Sequence, residues 1–326
     1  MISAFCYFGI ITQFKPNKMN QSIVVVGSSN IDLIAKLSHL PKPGETVGDG
    51  EYSQAHGGKG ANQAVAAARD GAEVSFISSL GDDDFGHQMI SSFKQYGINT
   101  DYVKQTSGVA TGTAFIWVDA KGENSIAVAP GANNLLTPDY VDECRMVISG
   151  ADLVLLQLEN PMDTVAYVID LCASLGKKVI LNAAPAKKID RKYIKPLHSL
   201  IVNETEAAII SGIEISNQAH VEEAAKAMLG MGTESVIITL GAKGAFYMTK
   251  RGSKYVDTYT VQPIDTTGAG DVFCGVISSQ IIKNKKLENA VKYANAAAAL
   301  STTTAGAQPS IPMQADTKAF INQNEF

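Results

Sequence analysis

The regular alternation of short apolar runs with amphipathic segments constrains the fold more than any other feature of this sequence. Beyond about residue 152, the apolar runs of strand length lie at 153–156, 179–181, 200–202 and 236–239. The segments between them, such as 162–175 and 218–231, carry apolar residues at helical spacing. Strands that alternate with helices in this way predict a three-layer α/β/α fold, with a mostly parallel central sheet and helices on both faces.

A β-branched run near the N-terminus begins the same pattern. Residues 22–27 are typical of a buried parallel strand. Asn30 and Asp32 follow and alternate with apolar residues, so their side chains share one face of an extended segment. Turn formation would explain these residue types, and so would a polyhydroxylated ligand at the carboxyl edge of the sheet, where α/β folds bind ligands. Glu159, just past another predicted strand, is expected at the same edge.

Two β-type runs with no helix between them interrupt the alternation. Residues 113–118 and 124–128 are joined by a glycine-containing turn, which indicates a β-hairpin. Together with an extended segment upstream, they predict a small antiparallel sheet outside the main core, with strands drawn from about 30–53 and 112–129. A sheet in that place would act as a lid that excludes water from a site.

Size, charge and cysteine content argue against several classes of protein. The chain has 326 residues, of which 45% are hydrophobic, so a large core is available. The net charge of −5 argues against nucleic acid or an anionic membrane as the main partner, and no stretch is apolar over the length that spans a membrane. The four cysteines are scattered without CxxC spacing, which argues against structural zinc and is typical of a cytoplasmic protein.

The first 18 residues are expected to be an extension that precedes the folded domain. They are apolar in part but short, and they lack the basic residues that open a secretory signal. Met19 comes just before the first convincing strand. The sequence therefore predicts an extension at 1–18 with no catalytic part, followed by one domain over 19–326.

A glycine-rich loop at 57–60 leads into an Ala-rich helix that is expected to begin at about Ala61. The loop is similar to a phosphate loop but is not of the Walker A type. Ser53 stands where the leading glycine belongs, and a glycine instead of Ser or Thr follows Lys59. Lys59 and Asn62 are instead candidates for contacts with the hydroxyl groups of a ligand.

The sequence DTTGAGD at 265–271 has the strongest chemical implication. Gly268 and Gly270 allow a tight turn and a close approach to a ligand. The apolar helix that follows would direct its N–H groups and positive dipole end at this turn, which predicts an anion-binding site. The carboxylate of Asp271 is either an N-cap or a general base that takes a proton from a hydroxyl as that hydroxyl attacks a phosphoryl group. This stretch alone leaves both interpretations open.

Three further polar segments have both a structural and a ligand-binding interpretation. Asn203 and Glu206 follow a predicted strand and match a capping box, yet they also suit a site for a metal–nucleotide phosphate group. Residues 239–244 end the next strand with a glycine turn, which is weak evidence alone. Asn295 lies in an Ala-rich helix expected at 287–300, and a polar loop is expected at 301–310.

Seven motifs in order make the chain resemble the ribokinase/PfkB family of sugar kinases. The motifs are GSSNID (27–32), HGGKGANQ (56–63), GDDDFG (81–86), PGAN (130–133), NETE (203–206), DTTGAGD (265–271) and GAQPSIP (306–312). Each is weak by itself, but the ordered set is specific and covers nearly the whole chain. The resemblance implies ATP-dependent phosphorylation of the 5-hydroxyl of D-ribose, with Mg²⁺ and K⁺ as cofactors, by a homodimer whose lid sheets pack together.

The resemblance also implies a role for each matching position, with Asp271 as the catalytic base. The implied sugar-binding positions are Asn30, Asp32, Gly58, Lys59, Gly60, Ala61, Asn62, Glu159 and Asp271. The implied nucleotide-binding positions are Asn203, Glu206, Thr239, Leu240, Gly241, Ala242, Lys243, Gly244, Gly268, Ala269, Gly270 and Asn295. Among these, residues 268–270 correspond to the anion hole and Glu206 to the residue tied to magnesium and phosphate. The implied positions of a monovalent-cation site, normally potassium, are Asp265, Thr267, Ser301, Thr304, Gly306 and Ser310.

Other functions remain compatible with the sequence. A second possibility is a kinase for another sugar or a nucleoside, such as deoxyribose or adenosine, although Asp32 with Asn62 and Glu159 favours a small polyol over a base. A third is a non-catalytic sensor that binds a sugar or nucleotide, against which the presence of Asp271 argues. A nicotinamide-dependent dehydrogenase is a distant fourth, because Gly27 is followed by two serines and no G-x-G-x-x-G follows the first strand.

Overall fold

The computed structural model describes residues 21–324, and the extension expected at 1–18 lies outside this range. Its strands are β1 (Ser22–Val26), β2 (Asn30–Lys36), β3 (Glu51–Gly57), β4 (Glu73–Gly81), β5 (Val103–Thr106), β6 (Gly112–Val118), β7 (Asn124–Ala129), β8 (Leu153–Leu156), β9 (Lys178–Asn182), β10 (Ser199–Asn203), β11 (Ser235–Thr239), β12 (Ala245–Thr249) and β13 (Gly252–Val256). Its α-helices are α1 (Lys59–Arg69), α2 (Asp84–Gln95), α3 (Pro138–Glu143), α4 (Arg145–Gly150), α5 (Met162–Ser174), α6 (Arg191–Ile194), α7 (Glu204–Ser211), α8 (Gln218–Leu229), α9 (Ala269–Ile282), α10 (Leu287–Ser301), α11 (Ala307–Ser310) and α12 (Gln314–Asn324). Short 3₁₀ helices lie at Gly131–Leu135 and Gly241–Lys243.

Within residues 21–324, nine strands form the central sheet in the order β13-β12-β11-β10-β9-β8-β1-β4-β5. The strands from β11 to β5 are parallel, whereas β12 and β13 pair antiparallel at one edge. The chain first pairs β1 with β4 and later places β8 on the other side of β1. Ligands bind at such a switch point in open α/β sheets, outside the carboxyl ends of the strands.

Apolar residues at alternate positions of the strands pack against helices on each face of the sheet. In β1, Ile23 and Val25 belong to a core shared with α1, α2, α9 and α10. Val24 and Val26 belong to a second core shared with α3, α4, α5 and α8. All four side chains are buried, as the period of 2 in a strand covered on both faces requires. The expected three-layer fold with a mostly parallel sheet is confirmed.

A second sheet has four strands within the described part of the chain, in the order β3-β2-β6-β7. β2, β6 and β7 lie within the ranges 30–53 and 112–129 predicted for a lid, whereas β3 begins in the first range and continues to Gly57. β6 and β7 form the predicted hairpin. β2 pairs antiparallel with β3 but parallel with β6. The sheet is therefore mixed, and the expectation that it is antiparallel is wrong in this respect. The parallel pair is possible because a long connection through β3, α1, β4, α2 and β5 separates β2 from β6, whereas a hairpin would have made the two strands antiparallel.

Two smaller differences from expectation lie close to the site. α1 begins at Lys59, slightly before its expected start, because Gly58 adopts a φ of 89° and turns the chain directly into the helix. The segment 301–310, expected as a polar loop, contains the end of α10 and all of α11. None of the helices that the structure describes between residues 21 and 324 combines the length and the apolar character needed to cross a membrane.

Candidate active site

Asp271 lies in the first turn of α9 and is almost fully buried, with 7% of its surface exposed. Gly268, with a φ of 77°, is the N-cap of this helix, and no side chain caps the end. The two carboxylate oxygens of Asp271 instead accept hydrogen bonds from α1. Asn62 Nδ2 lies 3.0 Å from Oδ2, and Gln63 Nε2 lies 2.9 Å from Oδ1. The N-cap interpretation of Asp271 is therefore wrong.

Two helices, α1 and α9, have their N-termini at this carboxylate. Each follows a glycine with positive φ, namely Gly58 (89°) and Gly268 (77°). The helices pack closely at Gly275, where an added Cβ would lie 2.4 Å from the carbonyl oxygen of Gln63. N–H groups of a first helical turn lack partners within their own helix and carry partial positive charge. Both helix ends therefore favour an anion at this place.

A cleft of about 380 Å³ lies outside the carboxyl ends of β1 and β8, at the switch point of the sheet. Its lining includes Ser28, Asn30 and Glu159 from the segments that follow these strands, and Val128 from β7 of the second sheet. Ser28 Oγ donates to Glu159 Oε2 at 2.5 Å, and the backbone N–H of Lys59 donates to the same oxygen at 2.9 Å. This polar wall suits a hydroxylated ligand.

Asn133 orients this wall, although sequence analysis assigned it no role beyond the motif PGAN. Its Oδ1 accepts from the N–H of Ser29 at 2.9 Å. Its Nδ2 donates to the carbonyl of Ser29 at 3.0 Å and to Asn30 Oδ1 at 2.7 Å. The side chain is 2% exposed, so it holds the loop after β1 from within and sets the direction of the Asn30 amide.

Carboxylates surround the ammonium group of Lys59. Its Nζ lies 3.9 Å from Glu159 Oε1, and attraction to Asp271 raises the pKa of Lys59. Burial, followed by the negative charges of Glu159 and Asp271, raises the pKa of Asp32 to about 7, in spite of Lys59. Burial also raises the pKa of Asp271, against the opposing effects of Lys59 and the two α1 amides. Lys59 therefore stays charged and partly offsets the carboxylates around it.

A larger cleft, of about 430 Å³, lies beside the N-terminus of α9. The predicted nucleotide positions that line it are Thr239, Gly241, Ala242, Gly244, Ala269, Gly270 and Asn295. Leu240 is buried and Lys243 is exposed, and neither is among the lining residues. Asn295 Nδ2 donates to the carbonyls of Val256 at 3.0 Å and Asp257 at 3.2 Å, which fixes the segment after β13 against α10.

A smaller pocket, of about 150 Å³, joins this cleft to the carboxylate of Asp271. It shares Thr239 and Gly270 with the larger cleft and is also lined by Lys59, Gly268 and Asp271. The polar lining, the N-terminus of α9 and the ammonium group of Lys59 suit a phosphate chain that extends from the larger cleft toward Asp271.

Asn203 and Glu206 line the same small pocket. They also form the predicted capping box, which is confirmed: the N–H of Asn203 donates to Glu206 Oε2 at 2.9 Å, and the N–H of Glu206 donates to Asn203 Oδ1 at 2.8 Å. Burial raises the pKa of Glu206, and the hydrogen bond from the N–H of Asn203 opposes this shift. One pair of residues therefore caps α7 and presents a carboxylate to the pocket.

The residues predicted for a monovalent cation lie on two segments that Asp265 joins. Its carboxylate accepts from the N–H of Thr267 at 2.9 Å and from the N–H of Gly306 at 2.8 Å. The hydroxyls of Ser301 and Ser310 donate to carbonyls of their own helices, each at 2.8 Å. Each hydroxyl oxygen keeps its lone pairs while its proton is donated, so both the hydroxyl and the backbone carbonyl oxygens of these serines could face a cation. Thr304 lies just after the end of α10, and its N–H donates to the carbonyl of Ser301 at 3.3 Å.

Comparison with known proteins shows which family the chain is similar to. The profile of the pfkB family carbohydrate kinases matches residues 20–314. A ribokinase from Haemophilus influenzae is 41% identical over 303 residues, which cover 93% of this chain and 99% of that protein. A deoxyribokinase from Salmonella typhi is 36% identical over 304 residues, which cover 93% of this chain and 99% of that protein.

The structural comparison leads to the same family. The structure of an Arabidopsis thaliana ribokinase complexed with ribose and ATP matches with a TM-score of 0.87 and 30% sequence identity, covering 92% of this chain and 98% of that chain. The chain therefore belongs to the pfkB family of carbohydrate kinases.

Proposed function

We propose that this protein transfers the γ-phosphoryl group of ATP to the 5-hydroxyl of D-ribose, giving D-ribose 5-phosphate and ADP. The observation that carries the proposal is the buried carboxylate of Asp271, which lines the 150 Å³ pocket at the N-terminus of α9. A protein that only bound an anion would gain nothing from a carboxylate at this place, whereas a kinase needs a base there. The ribokinase relatives support ribose as the acceptor.

Asp271 is proposed to act as the general base. Its ionised carboxylate takes the proton of the 5-hydroxyl as that oxygen bonds to the γ-phosphorus, and the bond from this phosphorus to the β–γ bridging oxygen breaks to release ADP. The N–H groups of Gly268, Ala269 and Gly270 stabilise the charge that develops on the transferred group. Alignment of the two reactants supplies up to about 7–11 kcal/mol. The second sheet is proposed to close as a lid that excludes water.

The acceptor is proposed to bind between the loop after β1, the start of α1 and Glu159. Asn30, Asp32, Lys59 and Asn62 supply the polar groups that orient its hydroxyls, with Gly58, Gly60 and Ala61 shaping the turn. Asn203, Asn295 and the segment 239–244 are proposed to hold the nucleotide. The 430 Å³ cleft supports this placement, since it leads into the small pocket beside Asp271.

Mg²⁺ and K⁺ are proposed as cofactors. Within residues 21–324, no group of three or more His, Cys, Asp or Glu side chains could hold a metal ion, so Mg²⁺ would be held chiefly by the phosphates of ATP with Glu206 beside them. Bound Mg²⁺ neutralises negative charge on the phosphates. K⁺ would be held by Asp265, Thr267 and Gly306 with carbonyls of 301–310, and these residues fix the turn that carries the α9 amides.

2-Deoxyribose is the second candidate acceptor, supported by the deoxyribokinase relative. The two sugars differ in one hydroxyl, and a site that hydrogen-bonds a hydroxyl rejects an analogue lacking it by a factor of up to about 10⁴–10⁵. The test follows ADP release from Mg-ATP in the presence of K⁺, with ribose, 2-deoxyribose, adenosine or no acceptor. We expect ribose to accelerate release most. Faster release with 2-deoxyribose would assign the second function, and no acceleration by any acceptor would refute a kinase.

We also propose a cytoplasmic homodimer formed through the second sheet. Tyr52 and Phe115 expose 68% and 40% of their surface on one face, and Ile126 and Val128 each expose 56% on the face that carries Asp32. Exposed apolar patches of this kind mark interaction surfaces. Light scattering on the wild type and on Phe115→Glu tests the dimer, since a monomeric wild type would contradict it.

The free, buried cysteines of the described residues suit a reducing compartment, which supports the proposed cytoplasmic location.

A further inference from the structure

A chain of buried amide side chains lies behind the Asp271 carboxylate. Gln63 Nε2 donates to Asp271 Oδ1 and to Asn182 Oδ1, both at 2.9 Å. Gln157 Nε2 donates in turn to Gln63 Oε1 at 2.7 Å. Gln63 and Gln157 are 0% and 1% exposed. Gln63 on α1 thus links Asn182, at the end of β9, and Gln157, after β8, to one oxygen of the carboxylate.

The surrounding groups permit one orientation of the Gln63 amide. Its nitrogen faces two acceptors and its oxygen faces one donor. A flipped amide would place Oε1 against the oxygens of Asp271 and Asn182, and Nε2 against the nitrogen of Gln157. Asn182 is held as well, because its Nδ2 donates to the carbonyl of Ile201 at 3.3 Å. The donor that faces Asp271 is therefore built into the fold.

The two oxygens of Asp271 consequently have different surroundings. Oδ1 is bound from the interior by Gln63, which is 0% exposed against 6% for Asn62, although neither residue is among the lining residues of the three cavities described above. Oδ2 is bound by Asn62, a residue proposed to bind the acceptor. The oxygen beside Asn62 is therefore the one that an incoming hydroxyl meets.

We infer that Gln63 is a positioning residue for phosphoryl transfer, which holds Oδ1 of Asp271 so that Oδ2 receives the proton of the acceptor hydroxyl. This inference rests on the proposed kinase function and assigns a role to a residue outside the substrate clefts. Gln63 acts through Asp271 and touches neither substrate. Gln157 and Asn182 fix Gln63 in the orientation that this role requires.

The same hydrogen bond favours the ionised form of Asp271, because a donor to a carboxylate stabilises its charge. Burial of Asp271 works in the opposite direction. The titratable groups that face Asp271 are Lys59 on α1, Glu159 after β8, Asp32 on β2, Glu206 on α7 and Cys274 on α9. Gln63 is neutral, so its replacement changes the pKa of Asp271 without changing the charge of the site.

Gln63→Met tests the inference, since it removes the donor while keeping a long unbranched side chain. Gln280→Met is the matched control. Gln280 Nε2 donates to Asp70 Oδ2 at 2.6 Å between the same two helices, at their other end, and Gln280 is 5% exposed. Both variants lose one buried amide–carboxylate bond between α1 and α9. Gln63→Met also loses its hydrogen bonds with Asn182 and Gln157, so the Tm of each variant is measured beside its pH profile.

The measurement is kcat as a function of pH at saturating ribose and Mg-ATP, where bound sugar already engages Asp32. For Gln63→Met we expect the acid limb to move upward by about one pH unit, with kcat lowered and the KM values for ribose and ATP unchanged within about twofold. For Gln280→Met we expect the acid limb of the kcat–pH profile to lie at the same pH as in the wild type. An unmoved limb in Gln63→Met, or an equal movement in both variants, would overturn the inference.

A milder variant keeps the test decisive if Gln63→Met does not fold. Gln157→Met removes only the bond to Gln63 Oε1, so a smaller movement of the limb in the same direction is expected, and no movement would overturn the inference. Failure of the kinase function itself looks different. In that case the wild type shows no acceptor-dependent ADP release, whereas the present inference fails only in an active enzyme.

Discussion

Replacement of Asp271 by Asn removes the proposed base with almost no change in shape. Both carboxylate oxygens accept a hydrogen bond in the wild type, at 3.0 Å from Asn62 and at 2.9 Å from Gln63. An asparagine offers one oxygen, so one of these two amide donors then faces an NH₂ group. The variant therefore loses its proton acceptor and one hydrogen bond while the backbone of α9 stays in place.

The expected loss of activity is much larger than the expected change in stability. A positioned general base contributes about 10²–10⁴-fold in rate, which corresponds to about 3–5 kcal/mol of transition-state stabilisation. The unpaired amide lowers the unfolding free energy by about 1 kcal/mol. In the opposite direction, the raised pKa of Asp271 means that its ionisation at neutral pH opposes folding, and Asn removes that effect. We therefore expect kcat to fall by about 10²–10⁴-fold while the Tm stays close to that of the wild type.

The assay measures ADP formation, nucleotide binding by calorimetry and the Tm of Asp271→Asn beside Asp70→Asn. Asp70 is also buried between α1 and α9 but is bonded to Lys283, 3.0 Å away, far from the clefts. Asp70→Asn is expected to lower the Tm and to keep kcat. The reasoning is refuted if Asp271→Asn keeps kcat within about tenfold of the wild type, and loss of nucleotide binding in it would indicate a structural role.

Four further predictions concern the residues around the clefts. Because the pKa of Asp32 is about 7 and its ionised form accepts sugar hydroxyls, the KM for ribose should rise as the pH falls through about 7, and steady-state kinetics of Asp32→Asn should show no such rise. In the free enzyme the raised pKa of Asp32 contributes to the free energy of unfolding. This contribution is fully present below the ordinary pKa of 3.8 and is lost as the pH rises through about 7. Urea unfolding of the wild type and of Asp32→Asn between these two pH values measures this contribution. Gly60→Ala would place a Cβ 2.5 Å from main-chain atoms of the loop after β1, so thermal unfolding should show a loss of about 1–3 kcal/mol together with a lower rate with ribose. Asn203→Ala removes the cap of α7, and urea unfolding should show a loss of about 1 kcal/mol with weaker binding of ATP by calorimetry.

Much of the fold follows from patterns that are local in the sequence. The runs predicted at 153–156 and 179–181 are observed as β8 (Leu153–Leu156) and β9 (Lys178–Asn182), because a strand buried on both faces needs consecutive apolar residues. β5 (Val103–Thr106) was not predicted, since only its first residue is buried and its sequence VKQT has no apolar periodicity. The parallel pairing of β2 with β6 was also missed, because it joins segments that lie far apart in the chain.

In the candidate site, too, local features were predicted and contacts between distant segments were not. Local sequence placed the acidic and amide groups at the ends of predicted strands and helices, and the order of the motifs indicated the family. It assigned no role to Gln63, Gln157 or Asn182, because polar residues in a strand end or an Ala-rich helix carry no signal of what they contact. The PGAN motif contained Asn133, yet its contact with Asn30 became visible only in the folded chain.

Asp271 shows most directly what the sequence determines and what the tertiary structure determines. The sequence by itself placed this carboxylate beside a glycine turn at the start of an apolar helix and left a cap and a base as equal interpretations. The tertiary structure excluded the cap, because the carboxylate's partners Asn62 and Gln63 lie 209 and 208 residues away in the chain and meet it only where α1 packs on α9. Backbone hydrogen bonding and apolar periodicity are encoded within a few neighbouring residues. Burial, side-chain partners and the pKa of a carboxylate depend on which helices come together.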